Sequence, residues 1–124
     1  MGESYEDLIA WRKAVELAGD VYAATRAFPR EEVFGLTNQL RRAAVSIPSN
    51  IAEGKGRLTG KDYAHFLGIA RGSVLELQTQ LLISHNLGYL EKSAFARLRV
   101  GADEVGRLIN GLLHFLRSDL TPNT

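Results

Sequence analysis

The sequence predicts an all-α protein, an antiparallel up-down-up-down four-helix bundle. Three observations predict it: four stretches with apolar residues at helical spacing, turn signals of three to six residues between them, and no stretch of strand-like alternation. Helices of about twenty residues span roughly 30 Å, so such short connections must return each helix antiparallel beside the one before it.

The first helix is predicted from about Tyr5 to Phe28. Ser4 and Asp7 have the spacing of a capping box, in which each side chain satisfies a free backbone N–H group, and Pro29 ends the helix. The residues assigned to its core face are Leu8, Trp11, Val15, Ala18, Tyr22 and Thr25.

The second helix is predicted from about Glu32 to Glu53, with Pro48 in its interior and Gly54 as a left-handed C-cap. The residues assigned to its core face are Val33, Leu36, Leu40, Ala43, Ile47, Asn50 and Ile51.

The third helix begins at Thr59, where Asp62 completes the spacing of another capping box, and Asn86 to Gly88 end it. The fourth runs from about Lys92 to Arg117. Their core faces are assigned to Tyr63, Leu67, Ala70, Val74, Leu77 and Leu81, and to Phe95, Leu98, Ala102, Val105, Ile109, Leu112 and Leu116. Residues 1–118 are therefore predicted to form one bundle, followed by a flexible C-terminal tail at 119–124.

Two of the helices carry more apolar residues than one core face needs. The additional residues are Ala14, Leu17, Val21 and Phe28 in the first helix and Phe66, Ile69, Leu75 and Leu82 in the third. A surface helix normally keeps its opposite face polar, so a second apolar stripe predicts that another subunit covers part of the bundle, although a wide core stripe is the alternative.

The composition excludes several classes of function. A chain of 124 residues is predicted to be a single domain, and without cysteine it holds no disulfide, iron–sulfur cluster or thiolate zinc site. No secretory leader or membrane-spanning run is recognisable, so we expect a cytoplasmic protein.

Catalysis and cofactor binding have little support, and we predict no enzyme, no cofactor and no metal. A di-metal bundle site needs paired Glu-x-x-His motifs, whereas the three histidines offer one weak pair, Asp62 with His65. Glu53 and Glu76 are the carboxylates that an acid–base site would use. They belong to two polar stripes, for which a structural polar network at a subunit contact is the preferred role. The stripes comprise Gln39, Arg42, Ser46, Ser49 and Glu53 on the second helix and Gly72, Glu76 and Gln80 on the third.

A local excess of positive charge is the remaining signal. Five basic residues and one acid lie between positions 41 and 61, and the basic ones are Arg41, Arg42, Lys55, Arg57 and Lys61. Three of the five lie in one loop, which suits contacts to phosphates. These five are therefore the candidate nucleic-acid-binding residues. An ordinary solvated loop is the alternative, and Arg41 and Arg42 suit salt bridges between subunits equally well.

Four segments carry a resemblance to a known family: YEDLIAWRKAVEL from Tyr5, FGLTNQLRRAAVSIPSNIAEGKGR from Phe34, FLGIARGSVLELQTQL from Phe66 and NLGYL from Asn86. The chain resembles the four-helix-bundle proteins encoded by intervening sequences in bacterial 23S ribosomal RNA genes, from about Tyr5 to Phe115. Gln78 stands where glutamate is as readily expected.

The resemblance implies a ring-like homopentamer, and it does not imply an enzyme, since the family has no established catalytic activity. A related protein, the accessory variability determinant of diversity-generating retroelements, works with a reverse transcriptase and binds nucleic acid through basic residues. The matching basic positions are Arg41, Arg42 and Arg57, whereas the other matching positions, Ser46, Pro48, Asn50, Glu53 and Gly54, are assigned to the fold.

The leading hypothesis is a non-catalytic oligomer that binds the backbone of RNA or DNA. The alternative is a protein-interaction scaffold that docks a partner enzyme, such as a reverse transcriptase, without touching nucleic acid. An enzyme using Glu53 and Glu76 is the third hypothesis, and it requires the two carboxylates to share one pocket.

Overall fold

Four α-helices and two short 3-10 segments make up the computed structural model, which describes residues 4–120 and the side chains of residues 4–118. The elements are a 3-10 turn Tyr5–Asp7, α1 Ile9–Thr25, a 3-10 turn Arg30–Glu32, α2 Leu36–Lys55, α3 Gly60–Asn86 and α4 Lys92–Leu120. No strand occurs between residues 4 and 120. The predicted all-α four-helix bundle is confirmed.

Each helix packs against two others, because α1 contacts α2 and α4, and α3 contacts the same two. Within residues 4–120 the diagonal pairs, α1 with α3 and α2 with α4, make no such contact. The helices therefore enclose one core, and every helix keeps an outward face. None of the helices in this range is both long and apolar enough to cross a bilayer.

The helix ends follow local capping chemistry. The predicted capping box at Ser4 and Asp7 is present, but it caps the 3-10 turn, and α1 starts only at Ile9. At α3 the Thr59 hydroxyl accepts from the Asp62 N–H at 3.1 Å. The predicted start of helix two at Glu32 is wrong, because Glu32 instead caps α2: its Oε1 accepts from the Leu36 N–H at 3.0 Å.

The core faces of α3 and α4 lie as predicted, but the core face predicted for the first helix is only partly right: Thr25 is buried, whereas Leu8, Trp11 and Ala18 pack half-buried at the edge of the core. The buried residues of α1 are Ala10, Ala14, Leu17, Val21 and Thr25. Val15 and Tyr22, which were assigned to the core, are exposed. Both stripes of this helix are apolar, so spacing alone could not tell which of them faces the other helices.

Gly54 is not the predicted left-handed C-cap. It is buried inside α2, and Gly56 caps the helix with right-handed backbone angles (φ −80°, ψ −3°). A Cβ atom at Gly54 would stand 2.9 Å from Phe66 Cβ and 3.1 Å from the Tyr63 carbonyl oxygen. The glycine therefore serves the close approach of α2 to α3.

Two other predicted features can be located. Pro48 lies inside α2, as expected, and its side chain is buried. Helix α4 continues to Leu120, two residues into the predicted C-terminal tail, and residues 121–124 lie outside the described part of the chain.

Candidate nucleic-acid interface

The turn between α2 and α3 is the part of the chain where the candidate basic residues concentrate. It comprises only residues 56–59, because Gly56 and Arg57 both fold back onto the last turn of α2, with N–H bonds to the carbonyls of Ala52 (3.2 Å) and Gly54 (3.0 Å). Leu58 at its tip is 99% exposed. We call Lys55, Arg57 and Lys61 the turn cations.

Two of the turn cations lie against aromatic rings of α3. The Lys55 ammonium stands 5.8 Å from the Tyr63 ring centre, and the Arg57 guanidinium stands 4.5 Å from that of Phe66. A cation over a ring face contributes about 0.5–1 kcal/mol at an exposed site. These contacts favour positions of both cations at the end of the bundle. Burial raises the pKa of the Tyr63 phenol.

The charges at the turn are partly balanced. Arg57 Nη2 donates to Glu53 Oε2 at 2.9 Å, and both side chains are well exposed. An exposed pair of this kind contributes at most about 1 kcal/mol, so a phosphate can compete for the guanidinium. Lys61 is exposed and makes no ion pair with any residue between 4 and 118.

Arg41 and Arg42 lie elsewhere. Arg42 precedes Lys55 by thirteen residues on α2, which is about 20 Å along the helix axis. Arg41 packs on α1: its Nε donates to Thr25 Oγ1 at 2.9 Å, and its guanidinium stands 4.6 Å from the centre of the Tyr22 ring. Arg42 is exposed. The structure therefore brings together three of the five predicted residues, Lys55, Arg57 and Lys61, and places Arg41 and Arg42 away from them.

Glu53 and Glu76 do not share a pocket. Ser46 of α2 lies opposite Ser73 of α3, with the hydroxyl oxygens 2.9 Å apart. Because the helices are antiparallel, Glu53 lies seven residues to one side of this contact and Glu76 three residues to the other, about 15 Å apart along the axis. The pair that an acid–base site would need is therefore not formed.

The predicted polar network lies between α2 and α3 of one chain. Asn50 Nδ2 donates to the Ser46 carbonyl at 2.8 Å and to the Ser46 hydroxyl at 3.0 Å, which extends the Ser46–Ser73 contact. Two helical turns away along the same pair of helices, Gln80 Nε2 lies 3.5 Å from Gln39 Oε1. These partners join two neighbouring helices, so the network does not depend on a second subunit.

The histidines form no metal-binding cluster with acidic side chains among the described residues. His65 is exposed beside Phe66, and His85 stacks on Phe95 with ring centres 4.5 Å apart, where its Nδ1 lies 3.0 Å from the Leu90 carbonyl oxygen. Within the described residues no three His, Asp or Glu side chains come together as metal ligands would.

A second basic region was missed by the sequence analysis. Arg71 of α3 and Arg99 and Arg107 of α4 line a groove between these two helices. The spacing of Arg99, Asp103 and Arg107, four residues each, places them on one side of α4 and was visible in the sequence. Their position beside Arg71 depends on how α3 packs against α4.

The fold and the basic turn are those of an antiparallel four-helix-bundle protein with its candidate site at one end. Residues 6–111 match the family model described as 23S rRNA-intervening sequence protein. The chain belongs to this family, as the resemblance in the sequence predicted. The proposed relation to the retroelement determinant stays a prediction.

One solved structure illustrates the likeness of fold. It is a protein of unknown function from the S23 ribosomal protein family of Bacteroides thetaiotaomicron, 19% identical to this chain, with a TM-score of 0.77. The match covers 85% of this chain and 98% of that one. Among curated proteins no match was found.

Proposed function

We propose that this protein is a non-catalytic oligomer that binds the sugar–phosphate backbone of RNA or DNA. The observation that carries the proposal is the group of turn cations, which lie in and beside an exposed four-residue turn at one end of the bundle, two of them against aromatic rings of α3. The family description, which refers to an intervening sequence in 23S ribosomal RNA, is consistent with a nucleic-acid partner.

The turn is suited to the backbone rather than to base edges. Lys61 offers an ammonium without a partner among the described residues, and Arg57 can exchange an exposed carboxylate for a phosphate while it stays on the Phe66 ring. Leu58 at the tip has no hydrogen-bonding side chain with which to read a base. Binding should therefore depend on salt and little on sequence.

Oligomerisation would repeat the turn and raise the effective affinity. Three cations on one copy are few, and Glu53 and Asp62 lie beside them. In a ring-like homopentamer, each copy would add its own turn cations, together with Arg42 on the outer side of α2. Arg41 belongs to the same proposal, but it would first have to leave Thr25 and Tyr22.

The test is a fluorescence-anisotropy titration with a structured ribosomal RNA fragment and a DNA duplex of similar length, across a salt series. The triple variant Lys55→Glu, Arg57→Glu, Lys61→Glu should bind at least about tenfold more weakly. Its slope of log K against log salt should flatten by roughly three for each copy whose turn contacts the nucleic acid, if each cation contacts one phosphate.

The matched control reverses three exposed cations at the other end of the bundle, Arg26, Arg30 and Lys92, none of which forms an ion pair with a residue between 4 and 118. It has the same net charge as the first variant. If both variants lose the same affinity, bulk charge rather than the turn is responsible. Absence of wild-type binding at low salt would reject the proposal.

A scaffold that docks a partner enzyme, such as a reverse transcriptase, is the second candidate function. The observation that favours it is the outward side of α3, where Ile69, Leu75 and Leu82 are exposed. A wild-type protein that binds no nucleic acid but forms a stable complex with a purified reverse transcriptase encoded beside it would support the scaffold.

A further inference from the structure

A groove runs along the surface between α3 and α4. It consists of two adjoining cavities of about 280 and 230 Å³, which share Leu75, Gln78 and Asp103 as lining residues. Its ends are marked on α3 by Leu82 and Arg71, eleven residues apart, which is about 16 Å. The groove is therefore long enough for about three turns of a helix.

The lining of the groove is partly apolar. Leu75 and Leu82 of α3 are 57% and 47% exposed. Phe95 forms one wall and is held in place by its stacking on His85, with the ring planes 5° apart. Leu75 and Leu82 are seven residues apart on one side of α3, so they border a gap whose other lining residues on α3 are Gln78 and Thr79.

The charges around these leucines are only partly balanced, because three arginines face one carboxylate, Asp103. Asp103 lies one helical turn from Arg99 and one turn from Arg107, at the spacing of helix ion pairs. Its Oδ1 instead accepts from Gln78 Nε2 at 2.6 Å. Among the residues the structure describes, Arg71, Arg99 and Arg107 have no hydrogen-bonding or ion-pair partner. Three guanidinium groups without a partner in this part of the chain thus line a groove that is partly apolar.

We propose that this groove binds an acidic amphipathic helix of a partner protein. Aliphatic side chains of that helix would fill the gap between Leu75 and Leu82, and its carboxylates would pair with Arg71, Arg99 and Arg107. The spacing fits, because Arg99 and Arg107 are about 12 Å apart and the leucines about 10 Å, close to two turns of a helix. The proposal does not rest on nucleic-acid binding at the α2–α3 turn.

The lining distinguishes this partner from two others. A sugar–phosphate backbone would pair with the arginines but leave the leucines uncovered. A second copy of the chain offers an acidic helix face in α1 with Ile9, Glu16 and Asp20, but Lys13 lies between Ile9 and Glu16 on that face and would meet the arginines of the groove.

The neutral side chain of Gln78 helps to keep the groove positively charged. Glutamate at this position would bring a second carboxylate to Asp103, lose the 2.6 Å hydrogen bond and give the neighbouring arginines a partner within the chain. The amide thus keeps Asp103 occupied and the arginines available. Gln78→Glu is therefore the most conservative variant that should weaken binding of an acidic helix.

The probe is a fluorescein-labelled 16-residue peptide with leucines and glutamates at heptad spacing, titrated with the full-length protein and followed by anisotropy. The double variant Arg99→Glu, Arg107→Glu should lower the affinity at least about tenfold, and Gln78→Glu by a few-fold. Asn86→Asp is the matched control, because it makes the same charge change on α3 outside the groove and should leave the affinity unchanged.

The outcomes separate the partners. A peptide with glutamine for every glutamate should bind much more weakly than the acidic one. No saturable binding of the acidic peptide, or equal binding by Gln78→Glu and wild type, overturns the proposal. So does a double variant that keeps the peptide affinity but loses RNA affinity or changes its oligomeric mass. The triple variant of the turn cations should bind the peptide normally, whatever its affinity for RNA.

Discussion

Gly54 lies where α2 comes closest to α3. The backbone there is ordinary right-handed helix, so the glycine is needed for space and not for its conformational freedom. A methyl group would meet Phe66 Cβ and the Tyr63 carbonyl oxygen, neither of which is the flexible end of a side chain. Gly68 on α3 provides the contrast, because nothing stands within 4 Å of the position of its missing Cβ.

Gly54→Ala should destabilise the protein by about 1–3 kcal/mol, since overpacking exceeds the gain in helix propensity. Gly68→Ala should stabilise the protein slightly, by up to about 1 kcal/mol, because alanine has the higher helix propensity. Urea unfolding followed by circular dichroism measures both, and an unchanged midpoint for Gly54→Ala would show that the two helices can move apart at no cost.

Arg41 and Arg42 are neighbours in sequence with different surroundings. A step of one residue turns the helix by about 100°, so Arg41 reaches Thr25 and Tyr22 on α1 while Arg42 faces solvent. The basic pair was recognised as a feature in the sequence. Which of the two cations is available for a ligand depended on the position of α1.

The two connections at one end of the bundle are joined through Glu32 and Tyr89. Glu32 lies between α1 and α2 and caps α2 through one carboxylate oxygen, while the other accepts from the Tyr89 hydroxyl at 3.1 Å. Tyr89, in the connection between α3 and α4, also packs on Phe28. The hydrogen bond to Glu32, with burial and the charges of Glu32 and Glu31, raises the pKa of the Tyr89 phenol above 10.0.

Ionisation of Tyr89 should therefore begin only above its usual range. Because the folded-state pKa is raised, the Tyr89–Glu32 contact contributes stability below pH 10 and loses it as the pH rises through the folded-state pKa. Difference spectra at the phenolate band, wild type minus Tyr89→Phe, isolate this tyrosine. Glu32→Gln should lower its pKa, whereas Glu91→Gln should not. Ionisation at the same pH in wild type and Glu32→Gln would contradict the assignment.

The cyclic arrangement of the helices leaves apolar residues on two different sides of the molecule. Val15 and Tyr22 are exposed on α1, and Ile69 and Ile83 are exposed on α3 at 41% and 43%. Because α1 and α3 are diagonal, a contact between these sides joins unlike surfaces of two copies. Contacts of this head-to-tail kind close into rings when the rotation permits, which agrees with the proposed pentamer.

Sedimentation of the wild-type protein at micromolar concentration should give a multiple of the 13.7 kDa chain mass. The double variant Ile69→Glu, Ile83→Glu should dissociate it, because an interface cannot bury two unpaired carboxylates without a cost of several kcal/mol. Val100→Glu, at an exposed position of α4, is the control that should keep the mass. A wild-type monomer would refute the oligomer and leave the turn cations to act singly.

Periodicity and capping are local properties, and they were sufficient for the class of fold, the number of helices and the core faces of α3 and α4. These local signals gave a wrong prediction where two structural interpretations fit the same sequence pattern. In α1 both stripes are apolar, and at Gly54 a buried glycine resembles a cap. The candidate loop was found because its cations are close in sequence.

Packing between distant segments decided the remainder. It separated Glu53 from Glu76, directed Arg41 to α1 and brought Gln78 to Asp103, which leaves the groove arginines without partners. These contacts join residues 16 and 25 positions apart in sequence. The spacing of residues along one helix determines which side they share, but the rotation of that helix against its neighbours follows from how all four pack together.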